Sequence, residues 1–501
     1  MNTVDLIRAA PTEICHPWPR HVLAADAWAE MAASLGGAEA PSLLALWADT
    51  VSVHALLHDV AAGAFLPVSV RVEEGRYPAL SPHRPSAAWF ERMIRDLWGH
   101  VATGGCDQRS WLDHGRWAHA MPLSPKPEPR TTPPDPPEFL PVEGEDIHQI
   151  PVGPVHAGII EPGHFRFSAQ GETILRLEVR LGWLHKGTLG LMRGKSPRAA
   201  ARFAARLSGD STVAHSLAFA RAAEVATGTE APPRAAALRA VMAELERVAN
   251  HLGDCGAIPN DAGYTFLLAR CGFHREAMLR AAAAAFGHRL MMDAVVPGGV
   301  AADIAPGGTE AILRAIAGIE AELPDLVRVY ETHSSLTDRT VGTGILAPEL
   351  AAAFAAGGYV GRASGRGFDA RKLPGYPPYE RLSFEVPVLN EGDVDARLRI
   401  RFAEITESLR LLRELLLDLP EGAISVPLPL ASGEGIGWAE GFRGDIWHWL
   451  RLDGGQIGSV FMRDPSWLQW PLLESAIRGN IVADFPLCNK SFNCSYSGVD
   501  L

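Results

Sequence analysis

Apolar and polar positions along the chain fall into blocks with different periods. Arg234–Gly253 sets Leu238, Val241, Leu245, Val248 and Leu252 three and four residues apart, the spacing of one helix face. The Leu-rich stretch Glu404–Leu419 and the alanine-rich stretch Arg275–Phe286 predict two further helices. Nearer the start, Asp26–Leu35 reads as a helix, and so does Trp89–Trp98, which stops at Gly99. Val51–Leu57 and Leu66–Val72 are rich in valine, alternate in polarity and read as strands. Phe165–Ala169 and Thr173–Leu181 read as strands around the turn Gln170-Gly171-Glu172. The final stretch, Gly433–Leu501, reads as glycine-rich turns with short strands.

Between residues 121 and 143, nine of 23 positions are proline. Proline has no amide proton to donate, so this run predicts an extended, semi-rigid connector. It separates a small α+β domain, 1–120, from a large, mainly helical domain, 144–501. The expected class is α+β.

Composition narrows the function classes. The chain is 47% hydrophobic and 21% charged, as soluble globular proteins are. A net charge of −12 argues against general nucleic-acid binding, which needs a basic face. No apolar run is long enough for a membrane span, and the first residues lack the apolar core of a signal peptide. Cys15, Cys106, Cys255, Cys271, Cys488 and Cys494 form no C-x-x-C pair. Scattered cysteines point to a reduced, cytoplasmic setting. Neither a G-x-G-x-x-G opening a helix nor a P-loop lysine motif is present, so the residues give no sign of direct nicotinamide binding.

A series of short motifs carries a resemblance. They are Gly153-Pro-Val-His156, Glu161-Pro-Gly-His-Phe-Arg166, Gly182-Trp-Leu-His-Lys-Gly187 and Glu244-Leu-Glu-Arg-Val-Ala-Asn-His-Leu252. Asp261-Ala-Gly263, His274-Arg-Glu276, Gly298-Gly-Val300, Gly433-Glu-Gly-Ile-Gly437 and Arg443-Gly-Asp445 follow in order. Together they make residues 144–501 resemble the large subunit of group 4, membrane-bound nickel-iron hydrogenases and the related 49 kDa-type subunit of respiratory complex I. Trp89-Phe-Glu-Arg-Met-Ile-Arg-Asp-Leu-Trp-Gly99 makes the small domain resemble the 30 kDa-type subunit of complex I.

The resemblance implies two C-x-x-C pairs of metal-binding thiolates, and here the chain departs from it. The first pair falls on Ser208 and Ser211, the second on Ser495 and Gly498. Soft thiolates select nickel and low-valent iron, whereas a protonated hydroxyl or a glycine does not. No metal is therefore expected. The tyrosine that holds the quinone headgroup in complex I falls on Gly209. Glu161 stands where the resemblance puts a proton-relay carboxylate, and a buried glutamate can hold a raised pKa. His156, or His164, stands for the histidine of the first hairpin, and His215 for the one four residues after the second ligand position. Each could instead be a structural residue of its hairpin or core.

Ser208, Asp210 and Ser211 could hold a proton, a hydrated cation or a polar headgroup, or could face solvent. Arg443 could hold a carboxylate in the former metal pocket or make a structural salt bridge. Cys494 reads as a small core residue. Trp438, Phe442, Trp447 and Trp449 read as core or interface packing.

The resemblance implies a subunit of a membrane-associated, complex I-like oxidoreductase assembly. Its expected partners are a small iron-sulfur subunit, which would carry the cluster, and antiporter-like membrane subunits. A quinone is a possible acceptor. The setting would be the cytoplasmic face of the membrane, reached through partners. The alternatives are a non-catalytic coupling subunit with a vestigial pocket and an active hydrogenase.

Overall fold

The computed structural model describes residues 2–37, 39–132, 137–156 and 160–501. Part of the proline-rich connector, 133–136, and residues 157–159 in the first hairpin of the large unit lie outside the described residues.

In the small unit, Arg20–Leu23 (β1) is followed by Ala25–Ser34 (α1) and three long strands, Ser42–Ala48 (β2), Ser52–Asp59 (β3) and Ala64–Arg71 (β4). The sheet order is Thr12–Glu13, β1, β4, β3, β2, with only β1 and β4 parallel. Ala88–Trp98 (α2) ends at Gly99 in the left-handed region, φ 80°, as the Trp-Gly stop predicts. Alternation predicts one buried face for the strands. The interior residues of β3 and β4 are instead buried on both faces. The reason is that the large unit covers the second face.

The contact is extensive. The Trp47 ring stacks on Phe461 at 5.7 Å, Trp18 on Trp438 at 5.0 Å and Phe90 on Trp467 at 4.8 Å. The Arg20 guanidinium donates to Glu434 and that of Arg451 to Asp49, both at 2.8 Å. The His16 amide donates to the Glu434 carbonyl at 2.9 Å, and the His16 carbonyl accepts from the Ile436 amide at 2.8 Å. Trp438, Phe442, Trp447 and Trp449 are all buried, the packing role expected for them. The connector also docks: the Leu123 amide donates to the Leu97 carbonyl, and the Leu123 side chain is buried. Cleavage within the connector is therefore expected to leave two fragments that elute together in native gel filtration. Fragments that separate without denaturant would contradict the shared core.

The large unit opens with an antiparallel sheet of Ile147–Val152 (β5), His164–Gln170 (β6) and Thr173–Arg180 (β7). Phe165 faces Val179 and Phe167 faces Leu177 across the hairpin turn read from the sequence. The longest helices are Thr212–Thr227 (α3), Pro233–Asp261 (α4), Thr265–Phe286 (α5), Gly308–Thr332 (α6) and Val394–Leu417 (α7). α5 and α7 start ten residues before the expected positions, Arg275 and Glu404. The α7 start has a readable cap, because the Asp393 carboxylate accepts from the Ala396 amide at 2.8 Å. The expected stripe on α4 is buried, but so are Glu244, Arg247, His251 and Asp254 on its other faces.

The C-terminal part differs from the expected turns and short strands. Gly433–Gly441 (β8), Gly444–Asp453 (β9) and Gln456–Arg463 (β10) form a three-stranded sheet with eight to ten residues per strand. Helices Ser466–Ala476 (α8), Phe485–Phe492 (α9) and Ser497–Asp500 (α10) follow. The alternating glycines of β8 have a steric reason. A Cβ on Gly433, Gly435 or Gly437 would stand 2.1, 2.3 or 2.2 Å from the carbonyl oxygens of Ala226, Ala222 and Ala218 on α3. Backbone lies on backbone, which only glycine against alanine permits. This packing fixes the start of α3, and the residues just before it, against the turn that carries Arg443.

Candidate functional site

The two stretches that correspond to the lost ligand pairs meet. The Ser208 hydroxyl lies 2.8 Å from that of Ser495 and donates to Asp210 Oδ1 at 2.9 Å. Arg443, in the turn between β8 and β9, spans the same loop. Its Nη1 donates to Asp210 Oδ1 at 2.7 Å and to Ser211 Oγ at 3.2 Å, its Nη2 to Asp210 Oδ2 and its Nε to the Asn493 carbonyl. The guanidinium also lies over the Phe442 ring, 4.5 Å from its centroid. Arg443 keeps 4% of its side-chain surface exposed and Asp210 keeps 38%. The cation is therefore the inner partner, and the carboxylate forms the outer wall. Burial works to raise the Asp210 carboxyl, but Arg443 overrides it and holds the group at about 2. Asp210 is thus an ion-paired residue, and Arg443 makes an intrachain salt bridge to it, the structural alternative for that arginine.

The fourth ligand position is closed in a different way. A Cβ on Gly498 would stand 2.7 Å from Asp464 Cγ and 2.9 Å from its Oδ2. Asp464 is fixed by His215 Nε2 at 2.9 Å and by the Ser466 amide at 2.8 Å. His215 Nδ1 in turn lies 3.0 Å from His448 Nε2, and the Gly498 amide donates to Ser495 Oγ at 2.9 Å. His215, His448 and Asp464 are all buried. Burial lowers the His448 pKa well below that of a free imidazole.

Hydroxyls engaged with each other, and a glycine against a carboxylate, do not fit a nickel-iron centre. Such a centre needs thiolates free to reach the metal. Among the described residues, no cluster of three or more His, Cys, Asp or Glu is arranged to hold a metal ion. Cys494 is buried, and burial raises its thiol far above the ordinary range.

The expected proton carriers sit differently from the sequence reading. Glu161 is exposed, not buried, and its one hydrogen bond among the described residues is from the Ser497 amide at 3.3 Å. His156 Nε2 donates to the Gly163 carbonyl at 2.7 Å, and His164 Nδ1 lies 3.2 Å from the Gly153 carbonyl. Both rings thus tie the hairpin backbone together, the structural alternative for each. His215 belongs to the buried Asp464 pair and does not reach the pocket surface.

Three groups escaped the sequence reading. Asp500 is buried and accepts the Gly182 and Leu184 amides, each at 2.8 Å. Burial raises its carboxyl to about 7, with Glu161 adding to the effect and Lys186 opposing it. Lys186 donates to the Arg206 and Leu207 carbonyls, beside Ser208. His185 Nδ1 lies 2.6 Å from the Asp500 carbonyl. The signal that could have found two of them is the His-Lys pair inside the Gly182–Gly187 motif.

The frame is that of a hydrogenase-type large subunit whose ligand corner has become a polar, ion-paired plug. Residues 21–131 match the family described as respiratory-chain NADH dehydrogenase, 30 Kd subunit, and residues 261–432 match its 49 Kd subunit. Formate hydrogenlyase subunit 5 of Escherichia coli (strain K12) is 30% identical over 450 residues, covering 86% of this chain and 79% of that protein. The carbon monoxide-induced hydrogenase of Rhodospirillum rubrum is 30% identical over 351 residues, covering 69% and 97%. An NADH-quinone oxidoreductase subunit of Dehalococcoides mccartyi (strain ATCC BAA-2266 / KCTC 15142 / 195) is 31% identical over 359 residues, covering 70% and 97%. In fold, the chain is similar to a chain of the membrane-bound sulfane sulfur reductase, an archaeal respiratory membrane complex. The TM-score is 0.67 at 24% identity, covering 72% of this chain and all of that one. The chain belongs to the family of membrane-bound hydrogenase large subunits and complex I 49 kDa-type subunits, with a 30 kDa-type unit fused ahead, and it lacks the metal-ligand cysteines.

Proposed function

We propose that this chain is a subunit of a membrane-associated, complex I-like oxidoreductase assembly that works without a nickel-iron centre. A small iron-sulfur partner would deliver electrons to a quinone-like acceptor, and antiporter-like membrane partners would couple the reaction to ion movement. No helix of the described residues is long and apolar enough to cross a membrane, so attachment on the inner face of the cytoplasmic membrane would come through partners. The observation that carries this reading is the Arg443–Asp210 pair with Ser208 and Ser495. It puts a polar wall with an exposed carboxylate where the relatives' frame would hold metal, which suits an organic acceptor.

Glu161 is an exposed acid beside that wall, in reach of solvent. The test is turnover of the purified complex with a soluble quinone. Glu161→Gln keeps size and hydrogen bonding but not the exchangeable proton, so turnover should fall roughly 10²-fold with assembly intact. A second reading, a coupling subunit with a closed pocket, is favoured by one observation: His156 and His164 are engaged with the hairpin backbone. Equal turnover by wild type and Glu161→Gln would support that reading over the first.

A further inference from the structure

A cleft of about 440 Å³ lies where the small unit meets the loop after β7. Leu97, Trp117 and Leu123 line it from the small unit and connector, and His185, Lys186 and Leu189 from the large unit. Its size is within the range of small-ligand sites. Nothing in the proposed redox role uses it.

The chemistry of the cleft is specific. The Trp117 and His185 rings lie 4.6 Å apart at 32°, so the indole braces the imidazole and supplies a flat wall. His185 Nδ1 faces the Asp500 carbonyl at 2.6 Å. A carbonyl oxygen only accepts, so the Nδ1 carries the proton. In the neutral ring, Nε2 is then a bare lone pair. Nε2 has no hydrogen-bond partner among the described residues, and it is not one of the unpartnered polar atoms sealed in the interior. It is an acceptor waiting for a donor. The Lys186 ammonium, which could have supplied one, is turned away to the Arg206 and Leu207 carbonyls.

We infer that this cleft binds a small planar aromatic alcohol, a phenol or naphthol, whose ring lies against Trp117 and the leucines and whose hydroxyl donates to His185 Nε2. The site is independent of the redox reading, because it needs neither electron transfer nor a partner subunit. Binding is read without turnover, so failure here and failure of the proposed function are separate results.

The test is calorimetric titration of the full chain with 1-naphthol and with 1-methoxynaphthalene, which has the same ring and no donor. The expected result is saturable 1-naphthol binding, with the methoxy compound weaker by roughly five- to tenfold, the effect of one hydrogen bond. Trp117→Ala should weaken 1-naphthol binding by about tenfold, as loss of an aromatic wall does. His185→Asn is the discriminating variant. Its side-chain amide can still donate to the Asp500 carbonyl but offers no acceptor at Nε2, so the fold should persist and the hydroxyl preference should vanish. Absence of saturable naphthol binding, equal binding of the two probes, or a preference that survives in His185→Asn would each overturn the inference.

Discussion

Restoring the thiolates by Ser208→Cys, Ser211→Cys, Ser495→Cys and Gly498→Cys is expected to yield a destabilised chain that binds no nickel. Most of the damage should come from Gly498→Cys. Its Cβ would enter to within 2.7 Å of Asp464 Cγ. Asp464 has little room to yield, because His215 and the Ser466 amide hold it from two sides. Overfilling a packed interior costs about 1–3 kcal/mol, and displacement of a buried, hydrogen-bonded carboxylate would add to that. The triple variant without Gly498→Cys should be closer to wild type, since serine and cysteine are nearly isosteric. Denaturant unfolding checks the order. A Gly498→Cys chain as stable as wild type would show that Asp464 does not close this corner.

Arg362→Leu is expected to destabilise the chain by about 3–5 kcal/mol, the cost of leaving buried charge unpaired. Arg362 is wholly buried and donates to Glu404, Asp369 and Glu440. At the centre of this network, the guanidiniums of Arg247, Arg362 and Arg371 face four carboxyls, those of Glu244, Asp369, Glu404 and Glu440. Burial, reinforced by the Asp369 charge, raises Glu440 to about 8. Leucine removes one cation and strands the carboxylates. By contrast, Arg328→Ala, which breaks an exposed pair with Asp325, should leave stability unchanged. Urea midpoints for the two variants decide the point, and Arg362→Leu unfolding at the wild-type midpoint would contradict it.

Local signals were the legible part of the fold. The helix ending at Gly99 and the hairpin at Gly171 depend on residues within a turn of one another, and both form where the sequence placed them. The Arg362 network was not legible. Glu244, Arg247 and His251 repeat along α4 like a solvated face, and the groups that bury them arrive from residues 362–371, 404 and 440. The glycines of β8 had no readable purpose either, since their reason is three alanine carbonyls on α3, some 200 residues earlier.

The site divides along the same line. The family resemblance located Ser208, Ser211, Ser495 and Gly498, and it singled out Arg443 and Asp210 without showing that they pair. Asp464 was invisible, because its role depends on a close approach to a glycine in another element. Glu161 was expected to be buried through the resemblance, and the hairpin leaves it exposed.

The most direct test of the central claim is elemental analysis of the complex purified with this chain in it. The account predicts no nickel above background, and iron only in the amount that partner clusters explain. Nickel in stoichiometric proportion to this chain would contradict it.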